Sequence, residues 1–159
     1  MKKITFNDEK ICKFLASLGG IGKLPASGTW GSLVALPFAW WFVGTPALHA
    51  LALIAFIIGI VTISPLIKNK PEKDPSYVVI DEFMGQLVVF SLISRAYMTP
   101  ILLIFGFLFF RLFDILKPWP ASFFDKKVHN PWGVMLDDLV AAIYGFLALD
   151  FLELISYYL

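Results

Sequence analysis

Apolar residues fall in long blocks along this chain, and the polar residues are gathered between the blocks. Near the start, Ile11, Phe14, Leu15 and Leu18 recur at i, i+3, i+4 and i+7, with Lys10, Lys13 and Ser17 elsewhere around the helix. That spacing predicts an amphipathic helix over residues 1–18, lying at a membrane surface. From Leu24 to Ile67, 44 consecutive residues carry no formal charge. As a helix rising about 1.5 Å per residue, such a run is about twice the ~30 Å hydrocarbon thickness of a bilayer. Gly44-Thr45-Pro46 divides it, which predicts a helical hairpin with arms Gly31–Val43 and Ala47–Ile67. The first arm is short for a span, so it tilts, starts inside the preceding glycine stretch, or is partly buried in protein.

Lys68–Ser76 is polar and reads as a loop. Apolar character resumes at Tyr77, breaks between Arg95 and Pro100, and returns over Ile101–Leu116, which predicts a second hairpin turning near Arg95. Lys117-Pro118-Trp119-Pro120 ends that helix, because each proline removes a backbone donor and restrains its predecessor. Asp125–Trp132 reads as another polar loop, and Val134–Leu159 as the last helix. Gly19–Ser32, with five of the eleven glycines, reads as ordered loop. The expected architecture is all-α, a polytopic membrane helix bundle of about five transmembrane helices with an N-terminal interfacial helix. One domain covers residues 1–159, the interfacial helix taking 1–18 and the bundle 19–159.

Composition supports this. Of the 159 residues 58% are hydrophobic and 16% charged, against about 45–50% and 25% in soluble domains; mean hydropathy is +0.78. Asp8, Glu9, Lys10 and Lys13 precede any long apolar stretch, so no secretory signal peptide is expected. Cys12 alone forms neither an intramolecular disulfide nor a thiolate cluster. Under the five-helix scheme twelve of the thirteen lysines and arginines fall on one side, leaving Arg95 on the other. That asymmetry predicts a cytoplasmic N-terminus and an external C-terminus. Merging the first hairpin into one helix would give four spans, but would put Lys23 and Lys68 on opposite faces.

Four polar clusters sit at the cytoplasmic ends of these helices. In Gly19–Ser32, glycines let backbone approach an anion, and Lys23, Thr29 and Ser32 add donors. The same pattern also suits a tight turn feeding a closely packed helix. Lys23 is followed by Leu24, so this is not a Walker loop. Asp81-Glu82, ahead of Gly85, is a candidate acid pair or a simple complement to a helix dipole. Arg111, Asp114 and Lys117 share a helical stripe, either an ion-pair ladder or a functional group of charges. Arg111 lies within an apolar segment, where an ionisable group is costly and a functional candidate. Asp137-Asp138, inside the last helix, repel each other and are a candidate pair of cation ligands, with a structural pair as the other reading.

Together these clusters bring Asp81, Glu82, Asp114, Asp137 and Asp138 to one membrane face with Lys23, Arg111 and Lys117. Oxygen-only ligands suit Mg²⁺, which takes a few carboxylates, waters and substrate phosphate oxygens. Zinc is not expected, since Cys12, His49 and His129 cannot assemble a nitrogen and sulfur site. The residues point to metal-assisted chemistry on a phosphate at the cytoplasmic membrane surface, with no nucleic-acid partner. A cation- or proton-coupled transporter is the alternative, but it would place its acids near the midplane of repeated, broken helices. A CDP-alcohol type transferase would show paired Asp-x-x-Asp spacings, which are absent.

Leu24-Pro25-Ala26-Ser27-Gly28-Thr29-Trp30-Gly31-Ser32, Asp81-Glu82-Phe83-Met84-Gly85, the stretch from Phe110 to Pro120, and Gly133-Val134-Met135-Leu136-Asp137-Asp138 resemble the phosphatidylglycerophosphatase A family. The motifs occur in the family's order, and the resemblance runs from about Gly19 to Ala142. It implies a Mg²⁺-dependent phosphatase of the bacterial inner membrane, facing the cytoplasm, that converts phosphatidylglycerophosphate to phosphatidylglycerol in phospholipid and cardiolipin synthesis. It implies Asp81, Glu82, Asp114, Asp137 and Asp138 as active-site acids and metal ligands, with Arg111 and Lys117 as phosphate contacts. Lys23, Gly28, Thr29 and Ser32 complete the expected substrate-binding set. Ser27 stands where the family usually has proline, Asn130-Pro131 where it often has two glycines, and Ala142 where glycine is common.

Overall fold

The computed structural model describes the backbone of residues 6–68 and 75–158 and the side chains of 8–68 and 75–155. Lys2, Lys3, Lys70, Lys73 and Asp74, counted above in loops and charge balance, lie outside the described residues. Among the described residues, seven helices follow in order: α1 Phe6–Ala16, α2 Ser27–Phe42, α3 Pro46–Ile67, α4 Ile80–Ser91, α5 Pro100–Leu116, α6 Ala121–Lys127 and α7 Pro131–Tyr158, with short 3-10 turns at Leu18–Lys23 and Arg95–Tyr97. No strand occurs among the described residues. The chain is all-helical, and each apolar block of the sequence became a helix in its expected place.

Two expectations need correction. Gly19–Ser32 is not loop throughout, since Leu18–Lys23 winds as a 3-10 turn and α2 begins at Ser27. Tertiary packing overrides the low helix propensity of this glycine-rich stretch: Gly31 lies so close to the carbonyl of Val79 that an added Cβ would stand 2.8 Å from it. Asp125–Trp132 is not one loop either. Asp125 belongs to α6, which packs on α7, and α7 starts at Pro131, where a proline suits the first helical turn.

Short α4 is the axis of the bundle. Nine of its twelve residues are buried, and it packs against α2, α3, α5 and α7. Small residues set the close approaches around it: Gly85 lies against Phe110, Gly106 against Phe90 and Leu149, and Gly59 against Met135. The Val79 N–H donates to the Ala16 carbonyl at 3.0 Å, tying the start of α4 to the end of α1. At one end of the bundle, Arg95 caps the Trp40 carbonyl with its guanidinium and lies over the Trp40 ring, beside Gly44. The turns of both hairpins therefore share that end. The acidic motifs occupy the other.

Large apolar side chains also cover the outside; Trp41, Leu53, Ile57, Val61, Ile101 and Leu147 are each more than half exposed. Among the described residues one helix, Pro46–Ile67, is long and apolar enough to cross a membrane. Helices α2, α4 and α5 have 16, 12 and 17 residues, short of the ~20 of a typical span. The 28 residues of α7 include Asp137, Asp138, Asp150 and Glu153. Among the described residues, one helix therefore has both the length and the apolarity of a span.

Candidate active site

Four helix ends converge on the acids: the first turns of α2 and α4, the last turn of α5 and the second turn of α7. Asp81 and Glu82 lie in the first turn of α4, whose N-terminal partial charge favours carboxylates. Asp81 Oδ1 accepts from the Glu82 N–H at 3.1 Å, and Asp137 Oδ1 from the Asp138 N–H at 3.1 Å. These bonds leave the outer oxygens free to face other helices. One carboxylate oxygen each from Asp81, Glu82 and Asp138 falls within 4.8 Å of the others. Asp81 is 5% exposed and Asp138 3%. Glu82 Oε2 and Asp138 Oδ2 are buried with no hydrogen-bond partner.

Nearby cations are engaged elsewhere. Arg111 Nη1 pairs with Asp114 Oδ2 at 2.5 Å, one turn apart on α5. Lys117 Nζ pairs with Asp137 Oδ2 at 2.5 Å and Asp125 Oδ1 at 3.2 Å. Lys117 is placed for this by its left-handed conformation at the end of α5, where its N–H closes on the Phe113 carbonyl at 2.8 Å. Burial works against the charged form of Lys117, but Asp137 outweighs it, aided by Asp138 and Asp125, and the pKa is raised. The side chain therefore stays an ammonium. No ion pair reaches Asp81, Glu82 or Asp138 among the described residues. If all three are ionised, each pair, no more than 4.8 Å apart, repels by at least about 3 kcal/mol at an effective dielectric constant near 20. Such a group needs protons or a cation, and an all-oxygen donor set with two unpartnered oxygens fits a hard divalent cation.

Gly28 forms one wall. A Cβ there would run into the Glu82 carboxylate and stand 3.1 Å from Arg111 Nη1, so α2 reaches these groups only because residue 28 has no side chain. The other members of the expected substrate set are placed differently. Ser32 is buried, and its hydroxyl is spent on the Gly28 carbonyl at 2.9 Å. Thr29 is half-buried in the first turn of α2, and Lys23 is exposed at the end of the preceding 3-10 turn. Asp114 accompanies Arg111 beside the three acids, whereas Asp137 faces Lys117. His129 lies in the loop after α6, its Nε2 2.9 Å from the Lys126 carbonyl.

Sequence reasoning missed two residues. Asp125 shares Lys117, a contact that needs the chain reversal before α6 and leaves no spacing signature. Gln86 is wholly buried, and neither of its amide atoms has a hydrogen-bond partner. Its signal was legible: a polar residue four positions after Glu82, within an apolar helix.

The sequence profile of the phosphatidylglycerophosphatase A family matches residues 14–153. A Haemophilus influenzae protein named phosphatidylglycerophosphatase A is 35% identical over 124 residues, covering 76% of this chain and 75% of its own. An Escherichia coli K12 protein of the same name is 33% identical over 118 residues, covering 73% and 67%. A Bacteroides thetaiotaomicron protein, named provisionally as a phosphatidylinositol-3-phosphatase, is 34% identical over 137 residues, covering 81% and 79%. No solved structure matches the chain.

Proposed function

This chain belongs to the phosphatidylglycerophosphatase A family, and from that premise we propose that it removes the terminal phosphate of phosphatidylglycerophosphate to leave phosphatidylglycerol. The observation that carries this reading is the convergence of the Asp81, Glu82 and Asp138 carboxylates within 4.8 Å, while the nearby Arg111 and Lys117 are paired with other acids. In the proposed site these three acids hold Mg²⁺, with Asp114 close by. When bound, the ion supplies charge neutralisation for phosphate oxygens. Arg111, steadied by Asp114, offers its guanidinium to the same phosphate, and Gly28 leaves room for it. Lys117, held between Asp137 and Asp125, supplies a permanent positive charge beside Asp138. Asp137 in this arrangement fixes Lys117 and reaches the cation only indirectly. Lys23 and Thr29 contribute outlying contacts, and Ser32 supports the backbone of Gly28.

The proposed setting is the cytoplasmic face of a bacterial inner membrane, with α2, α3, α4, α5 and α7 as five spans. Exposed apolar side chains on α2, α3, α5 and α7 support it, as does the charge asymmetry of the sequence. Short α4 is compatible because its neighbours, not lipid, surround it. A transporter reading is not favoured, because the acids gather at helix ends instead of at mid-helix breaks.

Purified protein assayed for phosphate release from phosphatidylglycerophosphate tests the reading. Release should stop with EDTA, return with Mg²⁺, and exceed release from phosphatidylinositol 3-phosphate. Turnover that ignores EDTA would remove the metal, and a preference for the inositide would replace the substrate. A reporter fused after Leu159 that works only in the cytoplasm would remove the five-span arrangement.

A further inference from the structure

Gln86 is fully buried, with Oε1 and Nε2 both unpartnered. An unpaired buried polar group is unfavourable, a cost that an apolar side chain of similar volume would avoid. Its position gives a reason to keep it. Gln86 sits four residues after Glu82 on α4, one turn further from the helix start. Its neighbours on the helix show which way it faces. Gly85 lies against Phe110 of α5, Phe90 against Gly106 of α5, and Phe83 against Phe38 of α2, edge to face at 5.7 Å between centroids. Between those directions lies the α2–α5 seam, in which Glu82 lies against Gly28 and Gly31, with Arg111 Nη1 also beside Gly28. Side chains at i and i+4 have Cβ atoms about 6 Å apart, close enough for one water to bridge them. Glu82 Oε2, itself buried and unpartnered, lacks a donor, and an amide N–H supplies one.

We propose that Gln86 is a positioning residue for the acid cluster: its Nε2 donates to the Glu82 carboxylate through one bridging water and holds one Glu82 oxygen toward Asp81 and Asp138. The chemistry of the amide suits this task. A neutral donor orients a carboxylate without cancelling its charge, whereas a lysine at the same place would take the role of the cation. Partners behind metal ligands work in this way, and their loss lowers metal affinity or activity by about 10–100-fold.

The inference rests on the proposed cation site, so its test reads binding apart from turnover. Full-length protein in detergent, without substrate, is titrated with Mn²⁺ and followed by electron paramagnetic resonance, as wild type, Gln86→Met and Gln86→Asn. The expected result for both variants is Mn²⁺ binding weakened by about tenfold or more. For Gln86→Met, kcat should fall with KM for the lipid unchanged, and the unfolding midpoint of the metal-free protein should hold or rise. Binding within twofold of wild type would overturn the inference. So would a loss of binding that comes with a lower unfolding midpoint in both variants, since that marks a packing role. If Gln86→Met does not fold, Gln86→Asn decides, because it keeps the amide but withdraws it by one methylene. Wild-type protein that binds no Mn²⁺ would take down the cation site and this inference together. Wild type that binds while the variants match it would remove only the role of Gln86.

Discussion

Asp137 and Asp138 are consecutive residues of α7, yet they belong to two different electrostatic regions. Asp137 meets Lys117 at 2.5 Å, and Asp125 shares that ammonium at 3.2 Å. Asp138 turns instead to Asp81 and Glu82, with all three oxygens inside 4.8 Å and no ion pair to them among the described residues. Successive helical residues point about 100° apart, so adjacent acids address different neighbours. The Lys117 region carries its own neutralising charge. The Asp138 region gathers three carboxyl groups with no countercharge paired to them among the described residues. Unlike environments, not unlike residues, separate the two.

The largest expected effect breaks the unpaired region. Asp138→Asn should lower phosphate release by about 10²–10³, the usual cost of losing a polar group that stabilises a transition state. Stability of the metal-free protein should not fall, because a like charge is removed from a crowded group. A kinetic assay with parallel thermal unfolding checks both; full activity would erase the distinction between the regions. Next in size is Gly28→Val, which pushes bulk onto the Glu82 carboxylate and Arg111. Displacement of reacting groups by about 1 Å can cost roughly 10² in rate, so a comparable loss is expected from a protein that still inserts. Normal turnover would mean that Gly28 only packs helices.

Asp137→Asn sharpens the contrast from the paired side. Lys117 would keep Asp125 but lose its closest partner, so the dominant change should be in stability, about 1–3 kcal/mol for a charged hydrogen bond. Activity should fall less than in Asp138→Asn, as shown by the two variants assayed side by side. Equal losses of rate with unchanged stability would place both aspartates in one site. The smallest effect belongs to Lys23→Ala. An exposed charge is worth about 0.2–1 kcal/mol, which predicts at most about a fivefold rise in KM, unchanged kcat, and a difference that shrinks in high salt.

Much of this was visible in the order of residues. Apolar blocks announced the helices, Gly44-Thr45-Pro46 and the Arg95 region announced turns at one end, and Arg111 stood out within an apolar segment. The acids were legible as a group because all lie near helix ends of the same side. Their division was not. Asp137-Asp138 reads as one pair until α5 and α6 bring Lys117 and Asp125 to the first of them. Ser32 read as a free donor until helix α2 turned its hydroxyl back to the Gly28 carbonyl. Gln86 was a visible oddity without a meaning until burial showed both amide atoms unpartnered.

By itself, then, the amino-acid order determined the helices, their sequence along the chain and the end at which the charges gather, because hydrophobic blocks and prolines act over a few residues of local backbone. Tertiary structure alone decided which acids meet and which are neutralised. That choice depends on the rotation of each helix about its axis and on how near its neighbours come, set here by Gly28, Gly31 and Gly85 against distant residues. A turn of 100° would point Asp137 where Asp138 now points and carry Asp138 away from the acids, and no local pattern encodes it.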